Sequence, residues 1–165
     1  EAKENKPVIL SFANHDFRDL RVDIAEAHRL LSKVSKDYND IEFIYCEAVE
    51  AVRNAMKLEE QNKCEFELKL EQNSDGAHTL NIKSSEKTFG PQPFFAIKTN
   101  TNQYFHDNLD FQIPFREWTY TFDEETLPVN AVEKIGVASN NSYGITSVTT
   151  LDVNSNQSKD YYYNL

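Results

Sequence analysis

Cysteine is scarce in this sequence, and long apolar runs are missing from it. The 165 residues include two cysteines, Cys46 and Cys64, and no Cys-x-x-Cys pair, so the chain carries no zinc signature of that kind. Free cysteine is among the most buried residue types, so we expect two buried thiols, while a disulfide between them stays open. No apolar run approaches the ~20 residues that span a bilayer, and the sequence therefore predicts no transmembrane helix.

Positive charge is also in short supply. The formal net charge is −10 and the pI is about 4.8. Such a surface repels phosphate backbones and anionic lipid, so we expect neither nucleic acid nor a membrane as partner. The first residues, EAKENK, lack the apolar core of a signal peptide. A cleaved signal, or a start within a longer protein, would leave the same beginning.

The first third of the chain has the pattern of a strand–helix–strand–helix unit. Strands are predicted at 7–12 and 41–46, where apolar residues are nearly continuous, as in a parallel sheet. One helix is predicted to start between Asp16 and Asp19 and another at Glu47, with apolar residues at spacings of three and four. Two strands and two helices cannot close a barrel or cover a parallel sheet. This stretch is therefore expected to be a piece of something larger, or an abbreviated version of it.

Parallel pairing with a right-handed crossover would bring both strand ends to one rim. His15 and Asp16 would then lie on the same rim as Cys46 and Glu47. Ligand sites in α/β sheets lie at the carboxyl ends of strands, which makes His15 and Asp16 the candidate catalytic residues. The alternatives are a histidine that bonds backbone at the start of a helix capped by Asp16, or simple surface exposure.

The runs ILSFANHDFRD and IEFIYCEAVEAVR, with a helix between them, resemble the C-terminal end of polysaccharide deacetylases of the NodB-homology type. The resemblance covers about a third of the chain. It implies the last part of a distorted (β/α) barrel, in which His15 serves as general acid toward the leaving alcohol and Asp16 follows it. The spacing departs from the family, because Leu10 lies five residues before His15 rather than two.

The family also uses a zinc or another divalent metal, held by an aspartate and two histidines, with a neighbouring aspartate as base. The remaining histidines are His28, His78 and His106, and no two of them are close enough in sequence to suggest a metal pair. No metal ligand is therefore assigned in this chain. The resemblance implies a metal only in a full-length parent protein, and this chain alone is expected to be inactive.

From residue 61 onward the pattern changes to period two. Alternating apolar and polar residues begin at Cys64, and turns rich in Gly, Pro and Asn separate about seven short strands. This pattern favours an antiparallel β-sandwich. The expected fold class is thus α+β, with an α/β segment at 1–60 and a β-sandwich domain at 61–165.

Aromatic side chains are abundant in the second part, and exposed aromatic faces stack on sugar rings. The candidate substrate-binding residues are Tyr104, Asp107, Trp118 and Tyr143. Alternating aromatics are more commonly core residues, which is the competing interpretation for Trp118. An acidic cluster around residues 107–125 lacks the regular spacing of a calcium loop, so a solvated face is the expected interpretation.

These patterns lead to three hypotheses on function. The first is the C-terminal part of a polysaccharide deacetylase-like protein that acts on N-acetylated sugars in the metabolism of a surface polysaccharide. The second is a non-catalytic β-sandwich module that binds carbohydrate or protein. The third is one α+β domain of unrelated purpose. Carbohydrate is the expected partner, exposed apolar strand edges would allow a homo-oligomer, and both a cytoplasmic and an exported location fit.

Overall fold

The computed structural model describes residues 1–164 except 5, 12–14, 16 and 18, and for residue 164 the backbone alone. It has a mixed α+β fold with two antiparallel sheets, and two α-helices lie in the described part. The chain divides into two compact units, Glu1–Glu59 and Glu60–Leu165. None of the helices described is both long and apolar enough to cross a bilayer.

The first unit contains both α-helices, α1 (Leu20–Asp37) and α2 (Ala48–Met56), after a short 3-10 turn at Ala2–Glu4. Asp19 caps α1 by accepting a hydrogen bond from the Arg21 amide at 3.1 Å. At the end of α2, Lys57 takes the left-handed conformation, and its amide bonds the Arg53 and Asn54 carbonyls. The two predicted helices are confirmed.

The two predicted strands of this unit are wrong where the structure describes them. Residues 7–11 and 41–46 form no strand, so the predicted parallel pairing is absent from the described residues. A two-stranded pair without a covering layer is marginal in water, which accounts for the missing strands among the described residues. Leu10, which should have been buried in a strand, is 77% exposed.

No described residue of the first unit is buried. Cys46 is exposed, contrary to expectation, because the strand that would have buried it does not form. Cys64, in the second unit, is buried as expected, and both cysteines are free thiols. Burial raises the pKa of the Cys64 thiol, so it stays protonated at neutral pH.

The described residues of the second unit form nine strands and a short 3-10 turn at Val129–Ala131. The strands are β1 (Phe66–Gln72), β2 (His78–Ser84), β3 (Phe94–Thr99), β4 (Tyr104–Asp107), β5 (Asp110–Ile113), β6 (Glu117–Phe122), β7 (Val132–Asn140), β8 (Ile145–Asp152) and β9 (Gln157–Asn164). One sheet has the order β1-β2-β6-β5, and the other has the order β4-β3-β7-β8-β9.

Both sheets contribute side chains to a single hydrophobic core. Phe95 from β3 packs on Tyr120 from β6 with 4.7 Å between ring centroids, and Tyr120 meets Phe122 edge-on at 4.9 Å. Trp118 is 1% exposed and donates its indole N–H to the Pro91 carbonyl at 3.0 Å. Because successive side chains point to opposite faces of a strand, the residues that alternate with the buried ones point away from the core.

A buried asparagine holds the loop between β7 and β8. The Asn141 Oδ1 accepts from the amides of Tyr143, Gly144 and Ile145 at 3.0–3.1 Å. Its Nδ2 donates to the carbonyl of Asn62 at 2.9 Å, which ties the segment before β1 to this loop. One side chain therefore satisfies backbone groups from two distant parts of the second unit.

Replacing Asn141 with alanine should destabilise the second unit. The change leaves several backbone groups without their partner, and we expect a loss of about 2–4 kcal/mol in the free energy of unfolding. Urea unfolding followed by the fluorescence of Trp118, the only tryptophan, measures this loss. Asn154→Ala, in the exposed turn after β8, is the control, and equal midpoints for the two variants would contradict this role of Asn141.

Candidate binding face

The outer face of the five-stranded sheet is built by the residues that alternate with the core. On β3, Phe95 and Ile97 point into the core, so Phe94, Ala96 and Lys98 point outward. Residues paired across antiparallel strands share a face, which extends this outer face over all five strands. We call this surface the outer face below.

Three aromatic side chains lie together at one side of the outer face. Tyr104 and His106 of β4 pair with Lys98 and Ala96 of β3, and the ring centroids of Phe94 and His106 are 6.1 Å apart. Phe94 is 62% exposed and Tyr104 is 73% exposed. Phe94, Tyr104 and His106 are called the first aromatic group.

Two tyrosines lie at the opposite side, on the edge strand β9. Tyr161 pairs with Val148 and Tyr163 with Thr146, which places both rings on the outer face. They are 36% and 55% exposed. The Nζ of Lys159, on the same face, lies 5.1 Å from the Tyr161 ring centroid. Tyr161 and Tyr163 are called the second aromatic group.

Small side chains occupy the space between the two aromatic groups. The pairings of β3, β7 and β8 put Ala96 beside Gly136, Gly136 beside Thr150, and Ala138 beside Val148. We call these five residues the floor. A Cβ atom added to Gly136 would meet only the Ala96 carbonyl oxygen, at 3.9 Å, so a Cβ atom fits there in ordinary contact. The floor is therefore open because its side chains are short.

Charges on the outer face largely cancel. The Lys98 ammonium lies 2.7 Å from a Glu133 carboxylate oxygen in a half-buried ion pair, which raises the pKa of Lys98. Lys134 is paired with Asp152 on the neighbouring strand, which sets opposite charges side by side. With Lys159 included, the outer face carries three lysines and two carboxylates, so it is close to neutral although the chain as a whole is strongly acidic.

The outer face of the four-stranded sheet is different in character. Charged and hydroxyl side chains cover it, such as Glu67, Lys69 and Lys83, and Glu67 and Lys69 form an exposed ion pair. Thr119 and Thr121 of β6 continue it. This surface is an ordinary solvated face, so the aromatic residues on the other sheet are not a general property of the fold.

Of the two predicted catalytic residues, His15 and Asp16, the structure describes only His15. The His15 ring is exposed and stacks on Phe17, with centroids 5.2 Å apart. Asp16 lies outside the described residues. Among the described residues there is no group of three or more histidine, cysteine, aspartate or glutamate side chains placed to hold a metal ion.

The four predicted substrate-binding residues fall in different places. Tyr104 lies on the outer face, and Tyr143 lies in the loop held by Asn141. Asp107 pairs with Phe95 and so lies on the opposite face of the sheet, where its exposed carboxylate accepts a hydrogen bond from the Tyr120 hydroxyl at 3.1 Å. Trp118 is buried, so its ring offers no face to a ligand, in agreement with the competing interpretation of it as a core residue.

Sequence reasoning missed Phe94, His106, Tyr161 and Tyr163 as site residues. A signal for them was present, because Phe94 and Phe95 are adjacent in one strand and must point to opposite faces. The same argument separates Tyr161 and Tyr163 from Tyr162. The residues just before the tyrosines are polar and show no apolar alternation, so the sequence does not predict β9.

Two concavities of about 650 and 600 Å³ lie elsewhere in the second unit, beside residues 60–62. Their linings are mostly polar and of mixed charge. Arg116, which lines the second of them, donates to the Ser85 carbonyl and lies 3.8 Å from the Glu86 carboxylate.

Comparison with known proteins found no match to a family model, to a curated protein or to a solved structure. The functional argument therefore depends on the geometry of the described residues.

The contact between Asp107 and Tyr120 joins β4 to the core. The Tyr120 hydroxyl donates to the Asp107 carboxylate at 3.1 Å. Burial, this hydrogen bond and the nearby charges of Asp107 and Asp123 raise the pKa of Tyr120 from 10.0 to about 12. The phenol therefore resists ionisation in the folded state.

This shift predicts a loss of stability at high pH. Below pH 10 the Tyr120 phenol is neutral in both states, whereas between pH 10 and about 12 it ionises more readily in the unfolded chain. The free energy of unfolding should fall by about 1.4 kcal/mol per pH unit in this range on account of this group. Urea midpoints against pH measure it. Tyr120→Phe should reduce the slope and Tyr104→Phe should not, so identical slopes for these two variants would refute the assignment.

Proposed function

We propose that this chain is a non-catalytic carbohydrate-binding module, with the outer face of its five-stranded sheet as the binding surface. In this proposal the second unit is an antiparallel β-sandwich, which is supported by the single core that both sheets share. The observation that carries the proposal is the concentration of exposed aromatic rings on one face of one sheet.

The chemistry of that face suits a sugar ring. A pyranose has an apolar face of C–H groups, which packs on an aromatic ring, and a rim of hydroxyls, which need donors and acceptors. Phe94, Tyr104 and Tyr163 supply exposed rings, while Thr150 and Gln157 supply hydrogen-bonding groups on the same surface. A binding surface of this type needs no catalytic residues.

The deacetylase hypothesis stays a prediction. Its two residues are His15, which is exposed, and Asp16, which lies outside the described residues. The metal ligands of that family would have to come from a longer parent protein. The binding proposal does not depend on that resemblance, because it uses residues of the second unit alone.

Isothermal titration of the full chain with cello-oligosaccharides, chitin oligosaccharides and soluble β-glucan tests the proposal. We expect at least one of these glycans to bind, and Phe94→Ala to weaken its binding about tenfold through the loss of a stacking ring. The matched control is Phe89→Ala, which removes a phenylalanine that precedes β3 and is 71% exposed, against 62% for Phe94.

Binding that is equally weakened by Phe89→Ala and by Phe94→Ala would contradict the assignment to the outer face. Binding of none of the glycans by the wild-type chain would contradict the proposed function itself.

A further inference from the structure

The outer face has two aromatic groups rather than one, and their separation matters. Phe94 on β3 and Tyr161 on β9 lie in one row of paired residues that runs through Ala138 and Val148. Three strand spacings of about 4.8 Å put their backbones about 14 Å apart. Sugars bound at the two groups would thus be separate units of a longer ligand.

The floor between the groups is low and continuous. Ala96, Gly136 and Ala138 have the shortest side chains available, and they follow one another across β3 and β7. Tyr104 and Phe94 rise on one side, and Tyr161 and Tyr163 rise on the other. A surface that is raised at both sides and low in the middle receives a single extended chain better than the flat surface of a crystalline polymer.

The charges restrict the ligand further. Glu133 neutralises Lys98 at 2.7 Å, Lys134 and Asp152 are paired residues of neighbouring strands, and the Lys159 ammonium lies 5.1 Å from the Tyr161 ring centroid. Three lysines thus face two carboxylates, and this near balance offers little net charge to an anionic polymer. A polycation finds no acidic stripe on this face either. Electrostatic complementarity therefore favours an uncharged, hydroxyl-rich ligand over a charged polysaccharide or a charged peptide.

We infer that the outer face binds a single, unbranched and uncharged glycan chain that lies across the floor and contacts both aromatic groups at once. This inference rests on the proposed function and specifies its ligand. Gly136, at the centre of the floor, keeps the path between the two groups open. The free energy of binding then comes from two stacking contacts on one ligand, and both are needed for full affinity.

Substitution of Gly136 tests the open floor. Gly136→Ile places a β-branched side chain on the outer face; its Cβ atom would meet only the Ala96 carbonyl oxygen, at 3.9 Å, and β-branched residues are well suited to strands. We expect Gly136→Ile to weaken binding of the best glycan about tenfold or more, and Gly136→Ala to change it by about twofold at most. Matching urea midpoints would verify that both variants are folded.

Chain length and the second aromatic group supply the second measurement. For the wild-type chain, affinity should rise from disaccharide to hexasaccharide and level off once the ligand reaches both groups. Tyr161→Ala should abolish this rise while leaving the affinity for the disaccharide nearly unchanged.

The outcomes separate the inference from the proposed function. Suppose that the wild-type chain binds glycan and that Gly136→Ile and Tyr161→Ala bind hexasaccharide as tightly as the wild type does. The proposed binding function is then supported, and the two-group site is overturned. Binding of insoluble crystalline polymer without binding of soluble chains also overturns it. So does a wild-type dimer in sedimentation that Gly136→Ile converts to a monomer, because the face would then be covered by a second copy.

Discussion

Packing of Phe95 from one sheet against Tyr120 from the other, with Phe122 edge-on to Tyr120, is the contact on which the second unit depends. It sets the side-chain alternation of β3 and β6, and a slip of one residue in either strand would turn every side chain to the opposite face. The hydrogen bond from the Tyr120 hydroxyl to the Asp107 carboxylate links the edge strand β4 to the same core. The core therefore determines which aromatic residues reach solvent.

The outer face is thus a consequence of the same register. With Phe95 and Asp107 on the opposite face of the sheet, Phe94 and His106 are directed outward and meet each other. On the far edge, the pairing of Tyr161 with Val148 has the same effect. The paired strands fix the backbone positions of these rings, so a ligand on this face would not have to order a loop.

Much of the second unit could be predicted from period two and turn chemistry. The strand from Phe94 to Thr99 and the Asp75-Gly76 hairpin turn lie where the sequence put them. The first unit was harder, because a continuous apolar run such as that from Val8 onward forms a strand only if another strand pairs with it. Site residues were harder still. Alternation shows that one of Phe94 and Phe95 is exposed, but not which one, and only the cross-strand pairing decides it.

The most direct test of this account is an NMR titration of the ¹⁵N-labelled full chain with a soluble, uncharged β-glucan oligosaccharide. The account predicts saturable shift changes concentrated in β3, β7, β8 and β9, including the amides of Phe94, Gly136 and Tyr161. Helices α1 and α2 and strands β1 and β2 should be nearly unaffected. Changes confined to the concavities beside residues 60–62, or spread evenly over both sheets, would contradict the assignment of the outer face as the binding surface.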